Sequence, residues 1–135
     1  MKKTIAMFAC LCALLSLPSL ALASGVAELL AAMQDTRAKL LTLVDSTDQA
    51  AQAGMIADLM KTHGDIDARI AAMAKGSDAD AKARMDKFKP IWDAFKETRE
   101  KEIFPALTAG DKAKAQAIGK GVQGGRFQQM VEILK

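Results

Sequence analysis

The apolar residues of this chain recur at alternating spacings of three and four almost from end to end, with short polar breaks between runs. Ile56, Leu59, His63, Ile66, Ile70 and Met73 keep that alternation strictly, so they line one side of a helix with about 3.6 residues per turn. A narrow stripe of this kind is buried only against the stripe of another helix. Met85, Phe88, Trp92, Phe95 and Arg99 keep the same rhythm, continued by Ile103 and Leu107. The chain is therefore expected to be all-α and to bury its seams against one another.

The breaks divide the chain into four helices. The first is expected from about Gly25 to Val44, on Val26, Leu30, Met33, Arg37, Leu40 and Val44, with Leu29 and Leu41 widening the stripe. Ser46 and Gln49 form a capping-box pattern that opens the second helix, which runs to about Ala74. Lys75-Gly76-Ser77-Asp78 is the next break. The third helix spans Ala79 to Ala109 and holds Pro90 and Pro105, each of which removes a helical hydrogen bond and predicts a kink. At Gly110-Asp111, glycine suits the left-handed position past a helix and aspartate the N-cap of the next. The fourth helix carries Ala115, Ile118 and Val122, then Phe127, Met130 and Leu134. Gly119, Gly121, Gly124 and Gly125 lie between these groups and predict a bend. Such short connections predict an antiparallel up-down-up-down four-helix bundle.

Composition agrees with one helical domain. Half of the 135 residues are hydrophobic, yet there is one Trp and no Tyr. The net charge is +3 with both signs interspersed, so the concentrated basic face of a nucleic-acid binder is missing. Lys2 and Lys3, the apolar run Ile5–Leu17, Pro18 and the small-residue site at Ala21-Leu22-Ala23 read as a secretory signal peptide over residues 1–23. The domain is then 24–135, periplasmic or secreted, with net charge lowered to +1 by loss of the two lysines. An uncleaved membrane anchor is the rival reading. Both cysteines, Cys10 and Cys12, lie in this leader, so the mature chain would have no disulfide, thiolate site or covalent haem.

Arg37 and Arg99 each interrupt an apolar seam, and each lies eleven positions before a turn at the same bundle end, Asp48 and Gly110 respectively. Counting from those turns sets both arginines at one height, with Leu59 and Val122. Met33, His63, Phe95 and Gly124 or Gly125 form another layer. An unpaired buried guanidinium is costly, so the pair is expected either to hold the carboxylate of a small ligand or to be matched by Asp58, Glu97 or Glu102. Snorkelling to solvent is a further option.

His63 with Met33 could ligate haem or a metal, but one histidine without a Cys or carboxylate cluster is poor metal chemistry. No cofactor is therefore expected, and packing is the plainer role of both. Trp92 with Phe88 and Phe95 could face a pocket opposite the glycines or simply form core. The carboxylates are scattered, and no catalytic triad, phosphate loop or zinc motif appears. The reading is non-enzymatic, with Arg37, Arg99, His63 and Trp92 as candidate ligand-binding residues.

Arg37-Ala38-Lys39-Leu40-Leu41, Asp48, Asp65-Ile66-Asp67 and Ile70, followed by Trp92, Phe95, Arg99, Leu107, Gly110-Asp111, Ala115 and Phe127, resemble a known pattern. It is that of the four-helix-bundle sensor domain of bacterial methyl-accepting chemotaxis receptors. The resemblance covers nearly all of residues 24–135. Its most specific part is the Trp-x-x-aromatic-x-x-x-Arg run followed by Leu-x-x-Gly-Asp-x-x-x-Ala. Such receptors continue into a second transmembrane helix, whereas this sequence stops at Lys135. The resemblance therefore implies a stand-alone periplasmic sensory module, a homodimer, with a small-molecule ligand and a membrane-bound signalling partner. The alternatives are a cytochrome-like haem carrier and a structural or chaperone-like bundle.

Overall fold

The computed structural model describes residues 18–135; the leader expected before Pro18, with Cys10 and Cys12, lies outside them. The described residues are all helical apart from short connections and have the shape of a four-helix bundle. Helix α1 spans Pro18–Asp45, α2 Gln49–Lys75 and α3 Ala79–Thr98. A five-residue π-turn, Arg99–Ile103, follows directly and leads into the short α4, Phe104–Thr108. The last quarter is α5, Lys112–Lys120, and α6, Val122–Leu134. Helix α1 packs on α2 and α5, α2 on α3, and α3 on α6. Among the described residues no helix is long and apolar enough to cross a membrane.

Side-chain caps set the boundaries. Asp48 caps α2 by accepting from the Ala50 and Ala51 N–H groups, so the cap lies two residues beyond the expected Ser46 box. Ser46 instead accepts from the Asp48 N–H. Asp78 accepts from the Ala81 N–H and opens α3. At the Gly110 hinge the glycine has φ +78°, as expected past a helix. The Asp111 N–H donates to the Ala106 carbonyl at 2.8 Å, the long bond of a Schellman turn, while the Asp111 carboxylate accepts from the Lys114 N–H.

Pro90 leaves α3 unbroken, whereas the irregularity near Pro105 is a π-turn on its N-terminal side. Two causes meet there. Proline has no N–H to offer the Lys101 carbonyl. Phe95, Arg99, Ile103 and Leu107 are also spaced by four three times in succession, which drifts about 120° around an ideal helix. Widening one turn, with the Phe104 N–H bound to the Arg99 carbonyl, absorbs that drift and keeps Arg99 and Ile103 inward. The fourth helix breaks outright at Gly121, so α5 and α6 replace the single expected helix. A Cβ on Gly121 would lie 2.7 Å from the Ala117 carbonyl oxygen, so this bend requires glycine.

The core forms two apolar clusters. Leu29, Met33, Ile66, Ile70, Phe88, Trp92, Phe95 and Met130 are among the members of one, and Leu40, Leu43, Leu59, Ile103, Leu107 and Ala115 among those of the other. Four buried polar residues lie between them: Thr36 on α1, His63 on α2, Arg99 after α3 and Gln123 on α6. Val122, expected in the stripe, is 51% exposed, and the buried positions are Gly119 and Gln123 instead.

Gly121→Ala is expected to lower stability by roughly 1–3 kcal/mol through the forced backbone contact. Gly64→Ala, where a Cβ meets nothing within 4 Å, should raise it by up to about 1 kcal/mol. Urea unfolding of both variants beside the wild type measures the contrast.

Candidate functional site

The polar layer is built around Arg99. Its side chain is wholly buried, held inward by the π-turn. Phe95, one turn earlier, lies beneath it with 3.9 Å from guanidinium carbon to ring centroid, a stacking contact that compensates part of the lost hydration. A guanidinium has five N–H donors and no acceptor. Nη1 spends its two on the His63 Nε2 at 2.9 Å and the Thr36 hydroxyl at 3.3 Å. Nε and Nη2 have no partner. These two nitrogens carry the parallel N–H bonds of the guanidinium's side edge, the fork that a carboxylate occupies in a bidentate pair.

The Arg99 contact fixes the histidine tautomer. Nη1 can only donate, so Nε2 of His63 carries the lone pair and Nδ1 the proton. Nδ1 is buried without a hydrogen bond, and the nearest carboxylate oxygen, on Glu100, is 3.7 Å away. Burial first, then the Arg99 and Lys96 charges, push the imidazole down to about 4, with Asp67 opposing. It is neutral at pH 7. Burial, and then Arg37, push the Arg99 guanidinium down to about 9, which leaves it charged at pH 7.

Arg37 is half-buried and donates to the Gly119 carbonyl at 2.6 Å, close to where a Cβ of Gly124 would sit. Burial lowers its pKa. The seam of α1 runs through Thr36 rather than Arg37, so the second arginine flanks the layer and reaches Arg99 through its field. Trp92 is core: its ring meets His63 edge-on at 5.4 Å between centroids, and its N–H donates to Asp67. The structure thus brings Arg99, His63 and Trp92 into one contact chain and sets Arg37 beside it. Arg99 belongs with His63 and Phe95, so the two layers expected from turn counting interleave.

None of the expected internal counter-ions meets the arginines, and Glu102 is exposed. Asp58 faces Lys39 and Glu97 pairs with Lys101. Among the described residues no carboxylate lies within 4 Å of the guanidinium nitrogens of Arg37, Arg99 or Arg126. Comparison with protein-family models, curated proteins and solved structures finds no match for the chain.

Sequence reasoning missed Thr36, Gln123 and Arg126. Gln123 donates to the Phe95 carbonyl at 2.8 Å, and Arg126 donates to the Ala94 carbonyl and the Thr98 hydroxyl. Seam spacing held a signal for Thr36, since Leu29, Met33, Thr36, Leu40 and Leu43 alternate by four and three. A haem iron finds no imidazole lone pair here while Nε2 accepts from Arg99. Surface grooves of about 500 Å³ between Asp80, Arg84, Lys87 and Glu132, and about 450 Å³ among Gln49, Gln52, Ile56 and Leu107, lie away from this layer.

A histidine held near 4 when folded but near 6.5 when unfolded binds its proton preferentially in the unfolded state. Its contribution to stability is full above pH 6.5 and is lost as pH falls towards 4, at about 1.4 kcal/mol per pH unit. Between pH 7 and pH 4.5 the wild type should lose roughly 2–3 kcal/mol more than His63→Gln. Urea unfolding of both proteins at the two pH values reads the difference directly.

Proposed function

We propose that this protein is a non-enzymatic module that binds a small organic anion, with the free side edge of the Arg99 guanidinium as its anchor. One observation carries the reading: a fully buried arginine leaves Nε and Nη2 unpaired, with a second arginine beside it and no carboxylate against either. A carboxylate would supply both missing acceptors and the missing negative charge together. Arg37 would add attraction from the flank, and His63 and Thr36 would hold the guanidinium in place from its other side. Trp92 would support His63 through their edge contact.

The edge is closed to solvent, so entry requires a local opening. The π-turn that carries Arg99 is the suitable element, because its widened hydrogen bonding is a recurrent feature of functional sites. The wider reading takes the chain as a periplasmic sensory module like the chemoreceptor four-helix domain. It runs up-down-up-down and antiparallel, has its leader removed near Ala23, and acts as a homodimer with a membrane-bound signalling partner. The supports are the all-helical bundle shape, the Gly110-Asp111 turn and the successive contacts of Trp92, Phe95 and Arg99 along one face.

Acetate, formate and succinate should each be tested for their effect on the melting temperature. At least one is expected to raise it by several degrees at saturation through linkage to the folded state. Arg37→Ala should weaken the shift, and Arg99→Met should abolish it. The same Arg99→Met change removes an unpaired buried charge, so the ligand-free variant should be more stable than wild type by about 1–4 kcal/mol. An unchanged wild-type melting temperature with all three acids, or an Arg99→Met protein less stable than wild type, would sink the reading.

A further inference from the structure

We propose that the Arg99 site takes up a proton together with its anion, and that His63 is the group that receives it. This rests on the anion-binding reading above and adds the coupling to it. Arg99 Nη1 and His63 Nε2 are 2.9 Å apart. While that contact stands, Nε2 must keep its lone pair, because protonation would set two N–H groups and two positive charges against each other. The unliganded layer therefore holds one cation and a neutral imidazole. An anion on the Nε and Nη2 edge, across the guanidinium from His63, changes this through its charge: it balances a second cation, so the imidazole can release Nη1 and take a proton at Nε2. The protonated imidazole becomes acceptable only when the anion is present.

The surroundings of His63 are consistent with such a coupling. Its own helix α2 contributes Asp67, α3 contributes Lys96, and the π-turn contributes Arg99 and Glu100. Helix α1 contributes neutral Thr36 and, acting on Arg99, Arg37. Arg126 on α6 is turned to Ala94 and Thr98. Glu100 is half-exposed, with an oxygen 3.7 Å from Nδ1. A small approach would turn that gap into a charge-assisted hydrogen bond once the ring is cationic. Nδ1 is without a bond in the unliganded layer, and the anion supplies acceptors to the free Nε and Nη2 of Arg99. Linkage is reciprocal: if the anion raises the proton affinity of His63, a proton raises the anion affinity by the same factor.

His63 is the sole histidine of the chain, so its ring C–H resonances in a proton NMR spectrum follow one group without assignment. The titration is run with and without saturating acetate, and acetate affinity is measured from pH 5.5 to 7.5, where acetate itself stays ionised. Acetate is expected to raise the His63 pKa from about 4 to about 6.5 or above, into the range over which its affinity is measured. Its Kd should fall by up to tenfold per pH unit as pH is lowered, and His63→Gln should bind acetate with a Kd independent of pH. Acetate binding that leaves the His63 pKa unmoved, with a pH-independent Kd in the wild type, overturns the coupling and leaves the anion site standing. Absence of acetate binding at every pH overturns both. The wild-type titration needs no variant to fold.

Discussion

A guanidinium buried between two apolar clusters, with no carboxylate against it, sets the terms for the rest of this protein. Its desolvation has to be offset by what surrounds it. Phe95 stacks beneath the plane, Thr36 and the neutral ring of His63 accept from Nη1, and nothing meets Nε or Nη2. Four helices contribute to this level, each in a distinct way. Helix α1 gives a hydroxyl, α2 an imidazole, α3 an aromatic face, and α6 a Gln123 amide that binds the Phe95 carbonyl. The two apolar clusters hold the helices together, and the layer between them fixes their relative height because its few polar atoms must find one another.

The backbone irregularities fall on either side of that layer and follow from it. The π-turn begins at Arg99 and keeps its side chain inward despite three spacings of four. Across the bundle, Gly119 sits against Val44 and offers its carbonyl to Arg37, and the helix breaks two residues later at Gly121. A straight fourth helix could not turn Gln123 inward while leaving Val122 exposed after Ala115 and Gly119. Each irregularity thus re-aims a polar side chain. Each also weakens local helical hydrogen bonding beside the buried charge.

Much of the fold is legible in the sequence. The seams of α2 and α3 are those of the spacing rule, and the Gly110 turn takes the predicted left-handed conformation. The site is legible in part. Arg99 and His63 stand out as polar residues in apolar seams, and both are buried. Arg37 does not enter its seam, because the stripe of α1 can be drawn through Leu30, Met33 and Arg37 or through Leu29, Met33 and Thr36. Packing against α2 selects the second. Turn counting also sets residues about one helical turn apart in height, an error introduced by the π-turn and the Gly121 break, which no residue-counting rule contains. Gln123 extends the Phe127, Met130 and Leu134 stripe by four, so its burial is legible, but its bond and those of Arg126 depend on carbonyls that only the folded neighbour presents.

Charge is partitioned in a way that bears on what the interior is for. The surface ion pairs are nearly all lysine with aspartate or glutamate, such as Lys96–Asp67, Lys101–Glu97 and Lys120–Asp45. The arginines of the inner layer and its rim bind carbonyls, hydroxyls and an imidazole instead. A chain selected only for stability would do better with methionine or leucine at Arg99, because an unpaired interior cation contributes nothing that an apolar side chain does not supply more cheaply. A planar fork with one edge left free is, however, what recognition of a carboxylate requires. Asp35, Asp45, Asp67, Asp93, Glu97 and Glu132 pair with surface lysines, whereas Arg99 keeps its charge and its Nε and Nη2 donors unmatched in the interior.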